Sequence, residues 1–303
     1  MIKRIIYIGK PSYLRSKKEQ LVIENGDTGE INTLPAKDIG VLELDNQRIT
    51  ITSQCMRLFA ENKTAVILCD QTHTPISLTL PMEGHFRQSR RLKRQAEASL
   101  STKKRLWKHI VKAKILNQRS VLEKYQLDTG ALKRNIKNVK SDDSGNMEGI
   151  SSAHYWKHLF SDKKFRRNPD GLYPNNLLNY GYAVIRAITA RAIVTTGLHP
   201  SIGLHHKNQY NAFCLADDLM EPYRPYVDEI VMNYYSENKD YEELTRNVKR
   251  IILAVAFENC DIDEKIHPLI NAVKISCSSL NNCLANKCQK IIFPKFNYRA
   301  DTD

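Results

Sequence analysis

Strand-like sequence gives way to helix-like sequence after two segments, Ala65-Val66-Ile67-Leu68-Cys69 and Pro75-Ile76-Ser77-Leu78-Thr79-Leu80-Pro81. A basic run begins soon after them, at His85. Both segments are short, apolar and rich in β-branched residues, which is typical of buried strands. Beyond them, apolar residues recur at helical spacing. We therefore predict an α+β fold, with a small β-rich domain over residues 1–82 and a larger all-α domain over residues 83–303.

Further strands and one helix are predicted before these segments. The strands are Ile5–Ile8, Gln20–Glu24, Glu30–Leu34, Gly40–Leu44 and Arg48–Ile51. Asn25–Gly29 predicts a hairpin loop, because Asn, Asp and Gly tolerate positive φ. Thr52 or Ser53 can cap the helix. The later predicted helices are Asn175–Thr196, Ala212–Met220, Val227–Tyr235, Tyr241–Glu258 and His267–Ala285.

Composition and charge narrow the class of protein. The chain has 303 residues and 42% hydrophobic residues, with 46 Lys plus Arg against 33 Asp plus Glu, a formal net charge of +13. Its longest apolar run, Ile251–Phe257, is far shorter than the roughly 20 residues of a membrane span. The N-terminus lacks the pattern of a secretory signal. Seven cysteines without a C-x-x-C pair suggest reduced thiols, so we expect a cytoplasmic protein.

Basic residues are concentrated between His85 and Arg119, where Glu97 is the only acid. They are Arg87, Arg90, Arg91, Lys93, Arg94, Lys103, Lys104, Arg105, Lys108, Lys112, Lys114 and Arg119. Charge of nearly one sign repels itself and does not stabilise a helix on its own. The stripe therefore favours an anionic partner over a merely solvated charged face.

Common catalytic motifs are absent from the sequence. There is no G-x-x-x-x-G-K-[ST], no G-x-G-x-x-G after a strand, no G-x-S-x-G and no H-E-x-x-H. P-loop nucleotide hydrolysis, dinucleotide redox chemistry, α/β-hydrolase chemistry and zincin chemistry therefore have no sequence support.

One group of histidines and acids remains, in Leu198–Gln209 and Ala216–Pro222. On one continuous helix His206 and Glu221 would lie about 22 Å apart, so the chain must break between them to bring them together. Gly203 and the polar run that follows can supply that break. Imidazole with carboxylates is a ligand set for Mg²⁺ or Mn²⁺, and Mn²⁺ accepts nitrogen more readily.

Asp218 and Glu221 are three residues apart and so share one helix face. Asn211 is a plausible N-cap for that helix, and Pro222 and Pro225 end or kink it. This spacing permits a metal site without requiring one.

A family resemblance is carried by Gly197–His206, Asn211–Phe213 and Asp217–Pro225. These stretches resemble the hallmark of the CRISPR-associated adaptation endonuclease and integrase, the universal subunit (Cas-one) that inserts new spacers into CRISPR arrays. The resemblance extends upstream to Glu148 and through Asn176–Ala183, and it covers nearly the whole chain. Asp217–Pro225 is most similar to members from type II systems.

The resemblance implies a set of site residues. It places the family's catalytic and metal-binding acids on Glu148 and Glu221 and the histidine on His206, with Asp218 in support. The neighbouring His205 leaves a second choice of register for the histidine. Candidate DNA contacts are Arg87, Arg90, Arg91, Arg94, Lys103, Lys104, Lys108, Lys207 and Arg224; for Lys207 and Arg224 a solvated or salt-bridged structural role is an equal alternative.

The resemblance also implies a mechanism and partners. A 3′-hydroxyl of captured double-stranded DNA would attack a repeat phosphodiester with the help of Mg²⁺ or Mn²⁺, and water in its place would give nuclease activity. The family is a homodimer joined through its β-rich domain, which corresponds to residues 1–82, while residues 83–303 correspond to the catalytic, DNA-binding domain. Two dimers flank a dimer of a small ferredoxin-like companion (Cas-two) in a heterohexamer.

Two other functions stay open on the sequence alone. One is a non-catalytic basic DNA-binding architectural protein, in which the histidine and acids are structural. The other is a different metal-dependent nuclease that cuts branched DNA but joins no 3′-end to a repeat. Substitution of Glu221 distinguishes the first from an integrase, and an assay for joined products distinguishes the second.

Overall fold

A computed structural model of the chain describes residues 3–160, 165–238 and 243–296. Its strands are β1 (Arg4–Ile8), β2 (Ser12–Lys17), β3 (Gln20–Asn25), β4 (Ile31–Pro35), β5 (Ile39–Leu44), β6 (Ile49–Ile51), β7 (Ala65–Cys69), β8 (Pro75–Thr79), β9 (Asn259–Ile262) and β10 (Lys265–Pro268). Its α-helices are α1 (Ser53–Glu61), α2 (Gln88–Ala96), α3 (Leu100–Lys124), α4 (Gly130–Asn138), α5 (Met147–Leu159), α6 (Asn175–Thr195), α7 (Cys214–Met220), α8 (Arg224–Glu237), α9 (Arg246–Leu253) and α10 (Leu269–Leu284). The predicted helix start at Tyr241 and the tail after residue 296 lie outside the described residues.

The N-terminal strands form two sheets. One has the order β1-β5-β7-β8, in which only β8 is antiparallel to its neighbour, and the other has the order β4-β3-β2-β6. Leu14, Leu21, Leu42 and Phe59 are buried together in one core. Thr52 caps α1 by accepting a hydrogen bond from Cys55 N. The predicted strands are confirmed, whereas β2 is an additional strand that the pattern did not predict.

Strand β5 joins the sheets to the helices because it is buried along its whole length. Val41 packs into the same core as α3 and α6. Glu43, on the same strand, accepts hydrogen bonds from the hydroxyl of Tyr180 on α6 at 2.9 Å. Burial raises the pKa of Glu43 to about 7. Next to it, Asp45 and Lys249 of α9 form a buried ion pair at 2.8 Å. The two halves of the molecule are therefore held by buried polar contacts as well as by apolar packing.

Helix α3 lies beside α5 and beside the turn that follows α7. Its apolar face, which includes Leu106, Trp107, Ile110 and Val111, is almost completely buried. Apolar residues at three- and four-residue intervals place one face of a helix against its neighbours. This packing determines which side chains of α3 face the first turn of α5 and the end of α7.

The prediction of an all-α second domain is wrong. Strands β9 and β10 form an antiparallel hairpin within it. Its turn residues, Asp263 and Glu264, both have positive φ, as a tight two-residue hairpin requires. The chain is therefore a mixed α/β protein with its strands mainly at the N-terminal end. None of the described helices is long and apolar enough to cross a membrane.

The cysteines differ from the expectation in one place. Cys283 and Cys288 are joined in a disulfide, whereas the other five cysteines are free thiols. The pair links the end of α10 to the segment that follows it.

Candidate active site

Glu148 lies in the first turn of α5, which a tight polar turn holds in place. The carboxylate of Asp143 accepts hydrogen bonds from the backbone N–H groups of Met147 and Glu148 at 3.0 and 2.9 Å. Asn146 caps the helix from a left-handed conformation, φ 50°, and accepts a bond from Gly149 N. Such caps satisfy N–H groups that the helix leaves unpaired. The residues just before α5, from Asp143 to Asn146, therefore form an ordered helix cap.

His206 lies in a loop organised by one buried carboxylate. Asp218 is 0% exposed and accepts hydrogen bonds from the backbone N–H groups of Leu204, His205 and His206 and from His206 Nδ1, the last at 2.7 Å. The bond from Nδ1 raises the pKa of His206. It also fixes the ring so that Nε2 is the nitrogen left for another partner. A carboxylate that orients an imidazole in this way is typical behind metal-binding histidines.

Gly203 makes this loop possible. A Cβ at this position would lie 2.4 Å from the carbonyl oxygen of His206 and 3.0 Å from a carboxylate oxygen of Asp218. Any larger residue would therefore push the loop away from its anchor.

Glu221 follows α7 directly. The helix ends at Met220, and Glu221 begins a 3₁₀ turn that contains Pro222. Its side chain is buried, with Oε1 3.0 Å from Arg224 and Oε2 2.6 Å from the ammonium of Lys114. Burial by itself would raise the pKa of Glu221, but the charges of Arg224 and Lys114 outweigh burial and lower it.

Lys114 brings the two predicted acids together. Its Nζ lies 2.7 Å from Glu148 and 2.6 Å from Glu221. The lysine is buried on α3, and although burial would lower its pKa, the two carboxylates raise it. Sequence reasoning counted Lys114 within the basic stripe and missed this role. The signal was present, since Lys114 lies seven residues after Trp107 and so on the apolar face of the helix.

Trp107 supports both histidines of the doublet. Its ring stacks on His205 at 4.3 Å and meets His206 edge-on at 5.8 Å. His205 also lies 3.5 Å from Asp142, whereas His206 contacts Asp218. Trp107 was not among the predicted site residues.

The residues fit a divalent cation by their chemistry. Two carboxylates and an imidazole offer oxygen and nitrogen donors of the kind that Mg²⁺ and Mn²⁺ accept. Glu221 Oε2 is buried, and its charged partner is the ammonium of Lys114. Among the described residues, the ligand atoms of Glu148, His206 and Glu221 do not all lie within 4.8 Å of one another. The ammonium of Lys114 balances the negative charge of the two carboxylates, as a bound cation would otherwise do.

The predicted DNA contacts fall into two groups. Arg87, Arg90 and Lys207 are exposed, and Arg94, Lys103, Lys104 and Lys108 are half-buried. Lys103 and Lys207 line an open groove of about 440 Å³ together with His206. Arg91 and Arg224 instead have internal partners: Arg91 donates to the carbonyl of Thr196, and Arg224 pairs with Glu221 and lies over the Tyr182 ring. Lys104 pairs with Asp142 at 3.2 Å.

Comparisons with known proteins agree on one family. Residues 6–254 match the family model described as CRISPR associated protein Cas1. The chain is 34% identical over 292 residues to the CRISPR-associated endonuclease Cas1 of Neisseria meningitidis serogroup C (strain 8013), covering 96% of this chain and 95% of that one.

Solved structures share the fold. A casposase bound to an integration product superposes with a TM-score of 0.80 at 20% identity, over 100% of this chain and 96% of the other. A chain of a Cas6-RT-Cas1–Cas2 complex gives a TM-score of 0.70 at 18% identity, over 95% of this chain and 35% of the other.

Proposed function

The chain belongs to the Cas1 family of CRISPR-associated proteins, and on that basis we propose that it is a divalent-metal-dependent DNA endonuclease and integrase that inserts new spacer DNA into a CRISPR array. The observation that carries this proposal is the convergence of Glu148 and Glu221 on one buried ammonium, beside an imidazole held by Asp218. The two acids are far apart in sequence and share one buried lysine, while His206 lines the groove that Lys103 and Lys207 also line; this arrangement supports the proposal.

The side chains have separable tasks in this reaction. Glu148, His206 and Glu221 would hold Mg²⁺ or Mn²⁺, which polarises a phosphoryl oxygen and stabilises charge that develops on the attacking and leaving oxygens. Asp218 orients His206 through Nδ1 and so leaves Nε2 as the nitrogen that could bind the ion. Arg224 keeps Glu221 ionised and in place.

DNA is the substrate in this proposal. A 3′-hydroxyl of the captured fragment displaces the repeat 3′-oxygen from phosphorus, so that one phosphodiester forms as another breaks. Water in the same position gives hydrolysis. Arg87, Arg90, Lys103 and Lys207 would contact phosphates, which positions the duplex without reading its sequence.

The proposed assembly follows the resemblance. We propose that residues 1–82 form a dimerisation domain and residues 83–303 a catalytic domain, and that two dimers flank a dimer of Cas2. The structural match to a chain of a Cas6-RT-Cas1–Cas2 complex supports the capacity of this fold to enter such an assembly.

An integration assay tests the function. A 3′-hydroxyl DNA fragment and a plasmid that carries a repeat are incubated with the protein and Mn²⁺ or Mg²⁺, and joined products are counted. Glu148→Gln, His206→Asn and Glu221→Gln should each lower joining by about 100-fold or more. Glu229→Gln is the matched control, because Glu229 also lies beside a lysine but belongs to α8, outside the site.

The outcomes separate the alternatives. Joining that persists in Glu221→Gln would contradict the assignment of Glu221 to the catalytic site, and DNA binding with neither joining nor cleavage by wild type would favour an architectural DNA-binding protein. Cleavage of branched DNA with no joined product would favour a different nuclease. Undiminished joining in excess chelator would contradict metal dependence.

A further inference from the structure

A second cluster of metal-binding side chains lies outside the candidate active site. Asp128, in the loop between α3 and α4, faces His154 and His158 on α5, and the potential ligand atoms of the three lie within 4.8 Å of one another. Among the described residues no other group of three such side chains meets this distance. We propose that Asp128, His154 and His158 form a binding site for a transition-metal ion such as Zn²⁺.

The backbone places the two histidines as a chelating pair. They are four residues apart on one helix, so their side chains project from the same face. Their rings stack with centroids 4.1 Å apart. His154 Nε2 lies 3.6 Å from Asp128 Oδ2. Zn–N distances of about 2.0 Å separate the ligand atoms of a tetrahedral ion by roughly 3.3 Å, so only small side-chain rotations are needed to close the site.

Hydrogen bonds prepare the ring of His158. Its Nδ1–H donates to the carbonyl oxygen of His154 at 2.7 Å, which leaves the lone pair of Nε2 available. A backbone carbonyl is a common outer partner for a metal-binding histidine. His154 Nε2 donates to the Asp128 carbonyl at 2.9 Å, and its proton moves to Nδ1 when Nε2 binds the ion.

Asp128 supplies the negative charge. Its Oδ1 accepts a hydrogen bond from Gly130 N at 2.9 Å, which orients the carboxylate. Two imidazoles and one carboxylate, with room for water, suit Zn²⁺, Ni²⁺ or Co²⁺ better than Mg²⁺ or Ca²⁺, which prefer oxygen.

The site is separate from the proposed catalytic centre although both use α5. His154 lies about 9 Å along the helix from Glu148 and is rotated by roughly 240°. An ion here would fasten α5 to the α3–α4 loop. It would therefore stiffen the helix that carries Glu148 without contacting DNA or the reacting groups.

The test measures Zn²⁺ binding to the full chain after removal of metals with chelator. Calorimetric titration of the His206→Asn protein, in which the proposed catalytic centre is impaired, should still show one bound Zn²⁺. His158→Asn or His154→Asn in that background should abolish this binding or weaken it at least tenfold. His267→Asn, a control histidine on β10, should leave it unchanged.

Thermal unfolding provides a second readout. Zn²⁺ at a hundredfold excess over its Kd should raise Tm by roughly 5 °C, and His158→Asn should remove that increase. The proposal fails if wild type binds no Zn²⁺, if His206→Asn alone removes all binding, or if the His158 and His154 variants both bind as wild type does. Activity is not needed for any of these readouts, so failure here would not bear on the proposed integrase.

Discussion

Replacement of Lys114 by Met removes the positive charge between Glu148 and Glu221 while keeping most of the side-chain volume. The side chains of Lys114 and Glu221 are only 10% and 5% exposed, and that of Glu148 is 25% exposed. The variant therefore leaves two neighbouring carboxylates, one of them buried, with Arg224 at 3.0 Å from Glu221 as the remaining counter-charge. We expect Lys114→Met to destabilise the metal-free protein.

The size of the effect follows from these contacts. Removal of one partner of a buried ion pair costs about 3–5 kcal/mol, and Arg224 offsets part of that cost, so we expect about 3 kcal/mol. For a chain of this length 1 kcal/mol corresponds to roughly 2 °C in Tm, which predicts a fall of about 6 °C. A divalent ion at a hundredfold excess over its Kd contributes about 2.7 kcal/mol, enough to restore most of the loss.

Differential scanning calorimetry in chelator and in Mn²⁺ measures both effects. Mn²⁺ should raise the Tm of Lys114→Met more than that of wild type, because in wild type the ion must displace the ammonium. Lys112→Met, the same substitution two residues away on α3, is the control and should change little. Equal Tm values for Lys114→Met and wild type in chelator, or equal gains from Mn²⁺, would refute the assignment of Lys114 as the internal counter-cation.

Three further predictions concern the loop, the junction with the sheet and the basic surface. Gly203→Ala should lower joining in the integration assay by about tenfold or more, because its Cβ displaces His206; wild-type rates would contradict the loop geometry. Glu43→Gln should stabilise the protein at pH 8 and lose this advantage towards pH 5, as measured by urea unfolding. The folded pKa of Glu43, about 7, exceeds its ordinary value, so the free energy of unfolding of the wild-type protein falls as pH rises from about 4.5 to 7. A difference between variant and wild type that does not depend on pH would count against this. Arg87→Gln with Arg90→Gln should reduce the slope of log affinity for DNA against log salt by about 2, and an unchanged slope would remove these residues from the interface.

The strands could be predicted wherever their turns used ordinary turn residues. Asn25–Gly29 indicated the β3–β4 hairpin, and the structure confirms it. The hairpins that sequence reasoning missed turn at Lys18 and Glu19 and at Asp263 and Glu264, all with positive φ. Three of these four residues are Lys or Glu, which rarely adopt positive φ, so the local sequence carried little indication of a turn. Strand pairing in the folded protein imposes the conformation.

The sequence indicated which polar residues belong to the candidate site, but it did not indicate the contacts that position them. Spacing and family resemblance indicated His206 and Glu221, and the structure places His206 against Asp218 and Glu221 against Lys114. The role of Lys114 depends on three segments that meet only in the folded chain, so its partners could not be deduced from α3 alone. Asn211 shows the same limit: it makes a turn with Phe213 and bonds Asp217, while α7 begins later, at Cys214.

Asp218 gathers four hydrogen bonds from the His206 loop onto a single side chain. The position of the imidazole is thereby decoupled from the solvent-facing residues Lys207, Gln209 and Tyr210. In the proposed integrase, substitutions at Lys207 and Gln209, which line the groove, would change the contacts with a bound nucleic-acid strand and leave the imidazole in place. Substrate preference would then be altered through these loop positions, provided that Asp218 and Gly203 are kept.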